Sequence, residues 1–415
     1  MTTNKIDNKL LDSLKDSLSP KLTKRLDEAV NTIIKTKKKD GKVVVVTGSG
    51  PNIHEGVTTL IAELIQKEII DGVSTSSAVI AHELAGSLDK VKRVPGTQLG
   101  FDLQPPLSFA TPQGDGYFLP RGELFEFTQL TDTQIEIINK DFQINMELYN
   151  KSKQIEGKTI IKAAGNMAYP MGPRTEMLAE TLLEECVSRN EPLEIIGGLG
   201  ADPKTMIGAG VKNDVPVLVS TPQLVGGGNV GICVADSTTN KERSVRIAKM
   251  LARADVIIES ALALAQEIHD GPFETYTGHG IWARYHHVPT YSLRGKKLIR
   301  IDLDPALEKV WEKEREGGDV QAAINEGKPK TKLFNVPFRM EMSGFARLEN
   351  SNPLVGDIGV LWPLIAREVA EGLSINLEFM SYPQDTDAGQ KMREWIVENI
   401  TFFNLDRYQE NKQEL

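Results

Sequence analysis

His82 and Glu83 stand side by side a few residues beyond the Ser/Thr-rich run 73-VSTSSAV-79. An imidazole titrates near neutral pH, so one placed beside a carboxylate can carry a proton to and from a reacting group. In a helix interior the same histidine would be a packed, hydrogen-bonded residue. Asp302, in 297-KLIRIDLDP-305, is a second chemical element, because a carboxylate at a strand end can accept both hydroxyl hydrogens of a ribose diol. Asp304 reads instead as a helix N-cap ahead of Pro305. The third element is bare backbone. Gly48-Ser49-Gly50 and 226-GGGN-229 expose amide donors and admit positive φ, the makings of an anion cradle or of a plain turn.

These groups need a frame that gathers them, and the hydrophobic pattern supplies one. Val43–Val46 form a short β-branched run that predicts a central parallel strand. Apolar residues at Val57, Leu60, Ile61, Leu64, Ile65 and Ile69 keep helical spacing, and Asp71-Gly72 ends that helix before a second strand. Further strands are predicted at 159-TIIKAAG-165, 193-LEIIGG-198, 215-VPVLVS-220, 255-DVIIES-260 and 297–305, with helices between them near 174–189, 204–212 and 241–254. Such alternation predicts an α/β fold, a doubly wound and mainly parallel sheet of Rossmann-like type with helical N- and C-terminal extensions. Four clusters then fall at strand carboxyl ends, where open α/β sheets bind ligands: 47–52, 74–83, 221–231 and 301–305. A phosphate or dinucleotide is the expected occupant.

Residues 1–40 predict two polar helices, and 41–315 the α/β core. The Pro-rich stretch 91–141 interrupts that core as an irregular insertion with one hairpin. Residues 316–415 form a linker and a helical extension. Its apolar Leu361, Trp362, Leu364, Ile365, Trp395, Ile396 and Ile400 need cover from the core or a second subunit, which predicts a homo-oligomer, a dimer or tetramer.

Of the 415 residues, 40% are hydrophobic, enough for a sizeable core, and the net charge of −9 speaks against nucleic acid as a partner. Cys186 and Cys233 lack any CxxC spacing, so neither a disulfide framework nor a zinc site is expected. His279, His286 and His287 share the irregular segment 269–289 without a zinc signature, and no metal is predicted. No apolar run suits a signal or a membrane span, so the expected setting is cytoplasmic.

The segments 47-TGSGPNIHEGVTTLIAELIQKEIIDGVSTSSAVIAHEL-84, 205-TMIGAGVKNDVPVLVSTPQLVGGGNVG-231 and 298-LIRIDLDPALEKV-310 resemble, in content and order, the deoxyhypusine-synthase-like NAD-binding fold. Within it the chain is most similar to the archaeal and cyanobacterial NAD-dependent ornithine cyclodeaminases of LOR/SDH type. The resemblance covers most of residues 42–312. It implies NAD as cofactor, with Ser49, Gly50 and Asn52 in a first NAD loop and Ser74, Thr75, Ser76 and Ser77 in a second. It further implies Gly226, Gly227, Gly228 and Asn229 in a third and Asp302 on the adenosine ribose. His82 and Glu83 fall where cyclodeaminase-like members carry a His-acid pair. The chain departs from deoxyhypusine synthase where that enzyme has its imine-forming lysine, since Ala265 or Gln266 stands there.

The expected function is that of an NAD-dependent enzyme, lyase or cyclodeaminase-like, that withdraws a hydride from a small amine or amino-acid-like substrate and returns it. His82 is the candidate acid/base, Glu83 its partner or a cation-binding carboxylate, and His279 a second candidate from a covering loop. The alternatives are an NAD(P)-dependent dehydrogenase releasing NADH, a deoxyhypusine-type transferase and a noncatalytic NAD-binding regulator.

Overall fold

The valine run is the centre of the molecule. In the computed structural model β1 (Val43–Thr47) is buried along its whole length and pairs in parallel with β2 (Gly72–Thr75) on one side and β7 (Val256–Ser260) on the other. The structure describes residues 6–48, 50–94, 98, 125–128, 146–157, 159–164, 171–260, 289–303, 305, 326–327 and 351–413. Outward from β2 lies β6 (Val217–Val219); outward from β7 lie β8 (Lys297–Asp302) and β9 (Ser351–Val355). All five pairings are parallel. Numbered by chain order within this sheet, the strands run 3-2-1-4-5-6, the arrangement of doubly wound dinucleotide-binding sheets. The direction of winding reverses between β1 and β7, which places the switch point at their carboxyl ends. The predicted α/β class is what the chain adopts.

The two faces of the sheet differ. Alternation puts Val43, Val45, Val73, Val219, Ile258, Ile299 and Leu354 on one face, where they join the main hydrophobic cluster with α2 (Pro20–Lys37), α4 (Val57–Gln66) and α12 (Ile358–Leu373). Every residue of α4 from Val57 to Ile65 is buried, as a helix apolar nearly all round requires. It starts at Gly56, whose φ of 68° and closeness to Met392 leave no room for a side chain. The other face carries Val44, Val46, Ile257 and Leu298. Met250 of α11 (Asn240–Arg253) meets it beside Gly72.

Three elements depart from the sequence reading. The segment 193–198 is a helix, α8 (Leu193–Gly198), not a strand. A six-residue apolar run is ambiguous by periodicity, and here Pro192 at the N-cap with Glu194 in the first turn favours the helix. β5 (Thr159–Ala163) belongs not to the parallel sheet but to a separate three-stranded antiparallel one, ordered β4-β3-β5, with β3 (Leu88–Val94) and β4 (Phe125–Thr128). β9 arises within the expected helical extension; its Pro353 suits an edge strand, and α2 covers that edge through Arg25 to the Pro353 carbonyl (3.2 Å) and Asn352 to the Arg25 carbonyl (2.9 Å).

The terminal helices close on the core of the same chain. α1 (Asn8–Asp16) and α2 pack on α12, whose Leu361, Trp362, Leu364 and Ile365 are all buried. α13 (Asp387–Asn399) buries Ile396, Ile400 lies buried just beyond it, and Trp395 rests on Phe379 with ring centroids 5.2 Å apart. The apolar residues from which an oligomer was expected are therefore covered without a second subunit. No helix among the described residues is long and apolar enough to cross a membrane.

Candidate functional site

At the switch point the carboxyl ends of β1 and β7 are tied together. α3 (Gly50–His54) follows β1 and buries Asn52, whose Oδ1 accepts from Ser260 Oγ at 2.8 Å; Trp362 Nε1 donates to the same hydroxyl at 3.1 Å. Asn52 is thereby engaged in joining two strand ends. A Cβ on Gly50 would meet no atom of the described residues within 4 Å, so among them this turn is uncrowded in front of β1. Ser49 lies outside the described residues.

The Ser/Thr run after β2 divides into two kinds of hydroxyl. Ser76 is the N-cap of α5 (Ser77–Leu84) and accepts from Val79 N. Ser77 Oγ donates to the Leu224 carbonyl at 2.5 Å and accepts from Gly227 N at 2.9 Å. The glycine cluster serves this approach. A Cβ on Gly227 would lie 2.6 Å from the Ser77 carbonyl oxygen, and Gly228, at φ 60° and ψ −135°, begins α10 (Gly228–Asp236). Asn229 donates to Glu180 at 2.6 Å on α7 (Met171–Arg189), and Gly226 lies against Ala78. Ser74 and Thr75 differ: both are fully buried, and Ser74 Oγ and Thr75 Oγ1 have no hydrogen-bond partner. Ser220 Oγ and Thr221 Oγ1, just beyond neighbouring β6, are likewise buried and unpartnered.

Ser74 shares the second face of the sheet with Glu259 and Arg300, cross-strand partners on β7 and β8, and with Asp302 two residues further on. Arg300 Nε lies 3.0 Å from Glu259 Oε2 and its Nη2 3.5 Å from Asp302 Oδ2, with Arg300 and Glu259 fully buried. A polar band thus crosses the sheet near its carboxyl edge. Ser74 and Asp302, three strand spacings apart and offset by two residues along the strands, stand roughly 16 Å from each other. The sequence reading missed Glu259 and Arg300; charged residues inside apolar strands were the available signal.

His82 and Glu83, adjacent on α5, turn to different surroundings. Glu83 is fully buried and its two carboxylate oxygens accept from Met206 N (2.9 Å) and Ile207 N (3.0 Å), the first amides of α9 (Met206–Lys212). Burial pushes its carboxyl up to about 7 against the opposing pull of those amides. Both oxygens face α9, so Glu83 holds that helix and is turned away from its neighbour. His82 is half-buried with Nδ1 enclosed and unpartnered. Desolvation, then nearby His54, bring its pKa down to about 4, which leaves the imidazole neutral near pH 7 and a weak base. His54, the last residue of α3, was not singled out from the sequence. Its pKa is lowered by burial and then by the charges of Arg393 and Lys162. His279, Asp304, Ala265 and Gln266 lie outside the described residues.

No protein-family model matches this chain, and no curated protein is similar to it in sequence. Among solved structures it is similar to apo ArgZ, an arginine dihydrolase from the ornithine-ammonia cycle in cyanobacteria, at 11% identity and a TM-score of 0.39 over 83% of this chain and 31% of that one. It is also similar to AgrE in ternary complex with ornithine and NAD+, at 12% identity and a TM-score of 0.38 over 86% of this chain and 34% of that one. A conserved LOR/SDH protein from Methanococcus maripaludis S2 aligns at 10% identity and a TM-score of 0.40, over 86% and 72% of the two chains. The chain thus matches only about a third of the length of ArgZ and AgrE.

Proposed function

We propose that this protein is an NAD-dependent enzyme that withdraws a hydride from a small amine or amino-acid-like substrate and returns it, in the manner of a cyclodeaminase. The observation that carries the cofactor assignment is the 3-2-1-4-5-6 parallel sheet, with buried, unpartnered hydroxyls at the carboxyl ends of β2 and β6. Each such hydroxyl is costly unless water or a ligand meets it, so the residues present fit a polyhydroxylated, phosphate-bearing cofactor. Gly50, Ser74, Thr75, Ser220 and Thr221 would hold it. Asp302, tethered by Arg300 at the end of β8, is the acceptor offered to a ribose.

When bound, NAD+ supplies a hydride acceptor that can give the hydride back, which makes the overall reaction redox-neutral. His82 would take the proton that leaves the substrate nitrogen, a role that requires bound substrate and cofactor to bring its pKa from about 4 back toward neutrality. Its neutral imidazole keeps Nδ1 without a partner, and Glu83 leaves it unencumbered by binding α9 instead. The lyase assignment rests on the sequence resemblance. A dehydrogenase releasing NADH shares the same cofactor cleft.

Calorimetry of the purified protein with NAD+ tests the cofactor assignment, and absence of binding would sink the whole reading. Screening amino acids and amines by mass spectrometry, with absorbance at the NADH band, tests the rest: product forms without a matching yield of NADH. His82→Gln is expected to lower turnover by about 10²–10⁴-fold while NAD+ affinity stays near wild type. An unchanged rate in a stably folded variant removes His82 from the mechanism.

A further inference from the structure

Residues 356–362, within the segment expected from sequence as a helical extension, reach the switch point of the sheet. Gly356 N donates to the Asp302 carbonyl at 2.9 Å, so the chain leaves β9 beside the end of β8 and then enters α12. In the first turn of α12 a Cβ on Gly359 would lie 2.5 Å from Glu55 Oε2; without it, the start of the helix closes on the residue that follows α3. One turn further, Trp362 is fully buried and its Nε1 donates to Ser260 Oγ at 3.1 Å. That hydroxyl meets Asn52 Oδ1 at 2.8 Å, and the Ser260 carbonyl accepts from Gly48 N at 3.3 Å. The start of α12 therefore adjoins both Asp302 and Asn52.

The side chains of Trp362, Ser260 and Asn52 form a chain of hydrogen bonds whose direction is set at the indole. An indole N–H only donates, so Ser260 Oγ accepts from Trp362 and keeps its own proton for an acceptor. Asn52 Oδ1 is that acceptor, and among the described residues Ser260 Oγ has no other hydrogen-bond partner. The opposite orientation of the Asn52 amide would aim its NH2 at the Ser260 oxygen and strand the hydroxyl proton, which is unfavourable because Ser260 is fully buried. With Oδ1 held, Nδ2 carries its two donors away from Ser260. No group among the described residues accepts from them, although Asn52 is 99% buried (1% exposed). Nδ2 also lies beside the turn after β1: it is the one atom of the described residues within 4 Å of a Cβ built on Gly48, at 3.9 Å. Buried donors of this kind are costly unless a ligand or water meets them.

We propose that Trp362 is a positioning residue for the cofactor turn: through Ser260 it fixes the Asn52 amide so that Nδ2 presents its donors to an acceptor oxygen of the dinucleotide. The use made of Nδ2 rests on the function proposed above; the orientation of the amide does not.

The first measurement needs no ligand. The Asn52 side-chain NH2 and the Trp362 indole N–H are assigned in nitrogen-15 NMR spectra of the full-length protein through Asn52→Ala and Trp362→Phe. Trp362→Phe keeps an aromatic ring in the core and removes the donor, so the Asn52 NH2 signals are expected to move or double as a second amide orientation becomes populated. Ser260→Ala should move them too. The NH2 of Asn411, which donates to the Leu199 carbonyl at 2.7 Å, is the control and should stay in place. Asn52 signals that move no more than those of Asn411 overturn the relay.

Calorimetry with NAD+ then reads the consequence. Trp362→Phe and Asn52→Ala should each weaken NAD+ binding about fivefold to tenfold, and Trp362→Phe should bring no further loss in an Asn52→Ala background. An equal loss in both backgrounds, or none in either, overturns the positioning role, because a general loosening of the fold does not depend on the Asn52 amide. Melting temperatures confirm folding of each variant. Where Asn52→Ala fails to fold, the wild type decides: NAD+ is expected to shift the Asn52 NH2 signals saturably, and NAD+ binding without that shift overturns the contact and leaves the proposed enzyme standing. A wild type that binds no NAD+ overturns the contact together with the enzyme, and moved Asn52 signals in Trp362→Phe then retain the orientation alone.

Discussion

Two buried polar regions lie within one residue of each other along β6, and they are built on opposite rules. Val219 N donates to Glu194 Oε1 at 2.8 Å, and that carboxylate is ion-paired with Arg243, whose Nη2 also donates to the Val234 carbonyl at 2.7 Å and to Ser237 Oγ at 3.3 Å. One guanidinium thus ties α8, β6 and the end of α10 to α11. The next residue, Ser220, leaves its hydroxyl buried with no partner, as do Thr221 and, across the strand pair, Ser74 and Thr75. Charges whose work is structural are paired within the chain. Uncharged hydroxyls at the strand ends are left open, which is affordable because a lone hydroxyl costs far less to bury than a lone charge. The comparison separates polar groups that hold the fold from polar groups available to a ligand.

The sharpest break of that comparison is Arg243→Met. It removes the cation and leaves Glu194 buried on its own, so unfolding stability should fall by about 3–5 kcal/mol, measured by chemical denaturation. A loss below about 1 kcal/mol would show that the pair carries little of the fold. Arg243→Met paired with Glu194→Leu should recover much of the loss, because neither charge then remains uncompensated.

Adjacent His82 and Glu83 sharpen it through pH, since their surroundings shift them in opposite directions. His82 is held at about 4, below its ordinary 6.5, so the unfolded chain binds more protons between those values. Stability from this group is complete above about pH 6.5 and is lost as pH falls toward 4, by up to roughly 3 kcal/mol. Glu83 is raised from 4.5 to about 7, so the folded chain binds the extra proton and this contribution falls as pH rises through that window. Glu83→Gln leaves one of the two α9 amides facing a donor and should cost about 1–3 kcal/mol near pH 5. The difference from wild type should shrink as pH rises from about 4.5 to about 7 and level off above it. A difference that widens with pH would mean that the α9 amides outweigh burial.

Part of this was legible in the sequence. Val43–Val46, the Asp71-Gly72 break and 297-KLIRID-302 gave the parallel core because continuous β-branched runs have few other solutions. The run 74-STSS-77 could be read only as a cluster. Which hydroxyl caps a helix, which stitches to Leu224 and Gly227, and which stays open is set by where β6 and its following turn arrive, 140 or so residues later. His82-Glu83 read as a pair for the same reason. Neighbouring helix positions point about 100° apart, and only the arrival of α9 and α3 shows that Glu83 binds a helix start while His82 lies within the influence of His54.

The smallest effect is the most discriminating. In Ser74→Ala and Ser220→Ala, each substitution removes a buried hydroxyl that has no partner, so no hydrogen bond within the protein is lost and stability should stay within about 0.5 kcal/mol of wild type or rise. A hydroxyl that instead supports the fold through an internal bond would cost about 1 kcal/mol when deleted. NAD+ affinity should move the other way, falling about fivefold to tenfold per hydroxyl that meets the cofactor. Ser77→Ala is the control, since its hydroxyl is committed to Leu224 and Gly227; stability should fall there while affinity changes less. If all three variants lose stability alike and keep NAD+ affinity, the strand-end hydroxyls belong with Glu194 and Arg243 as part of the fold. If Ser74 and Ser220 separate from Ser77 in both measurements, the division between holding groups and binding groups stands within a single turn of chain.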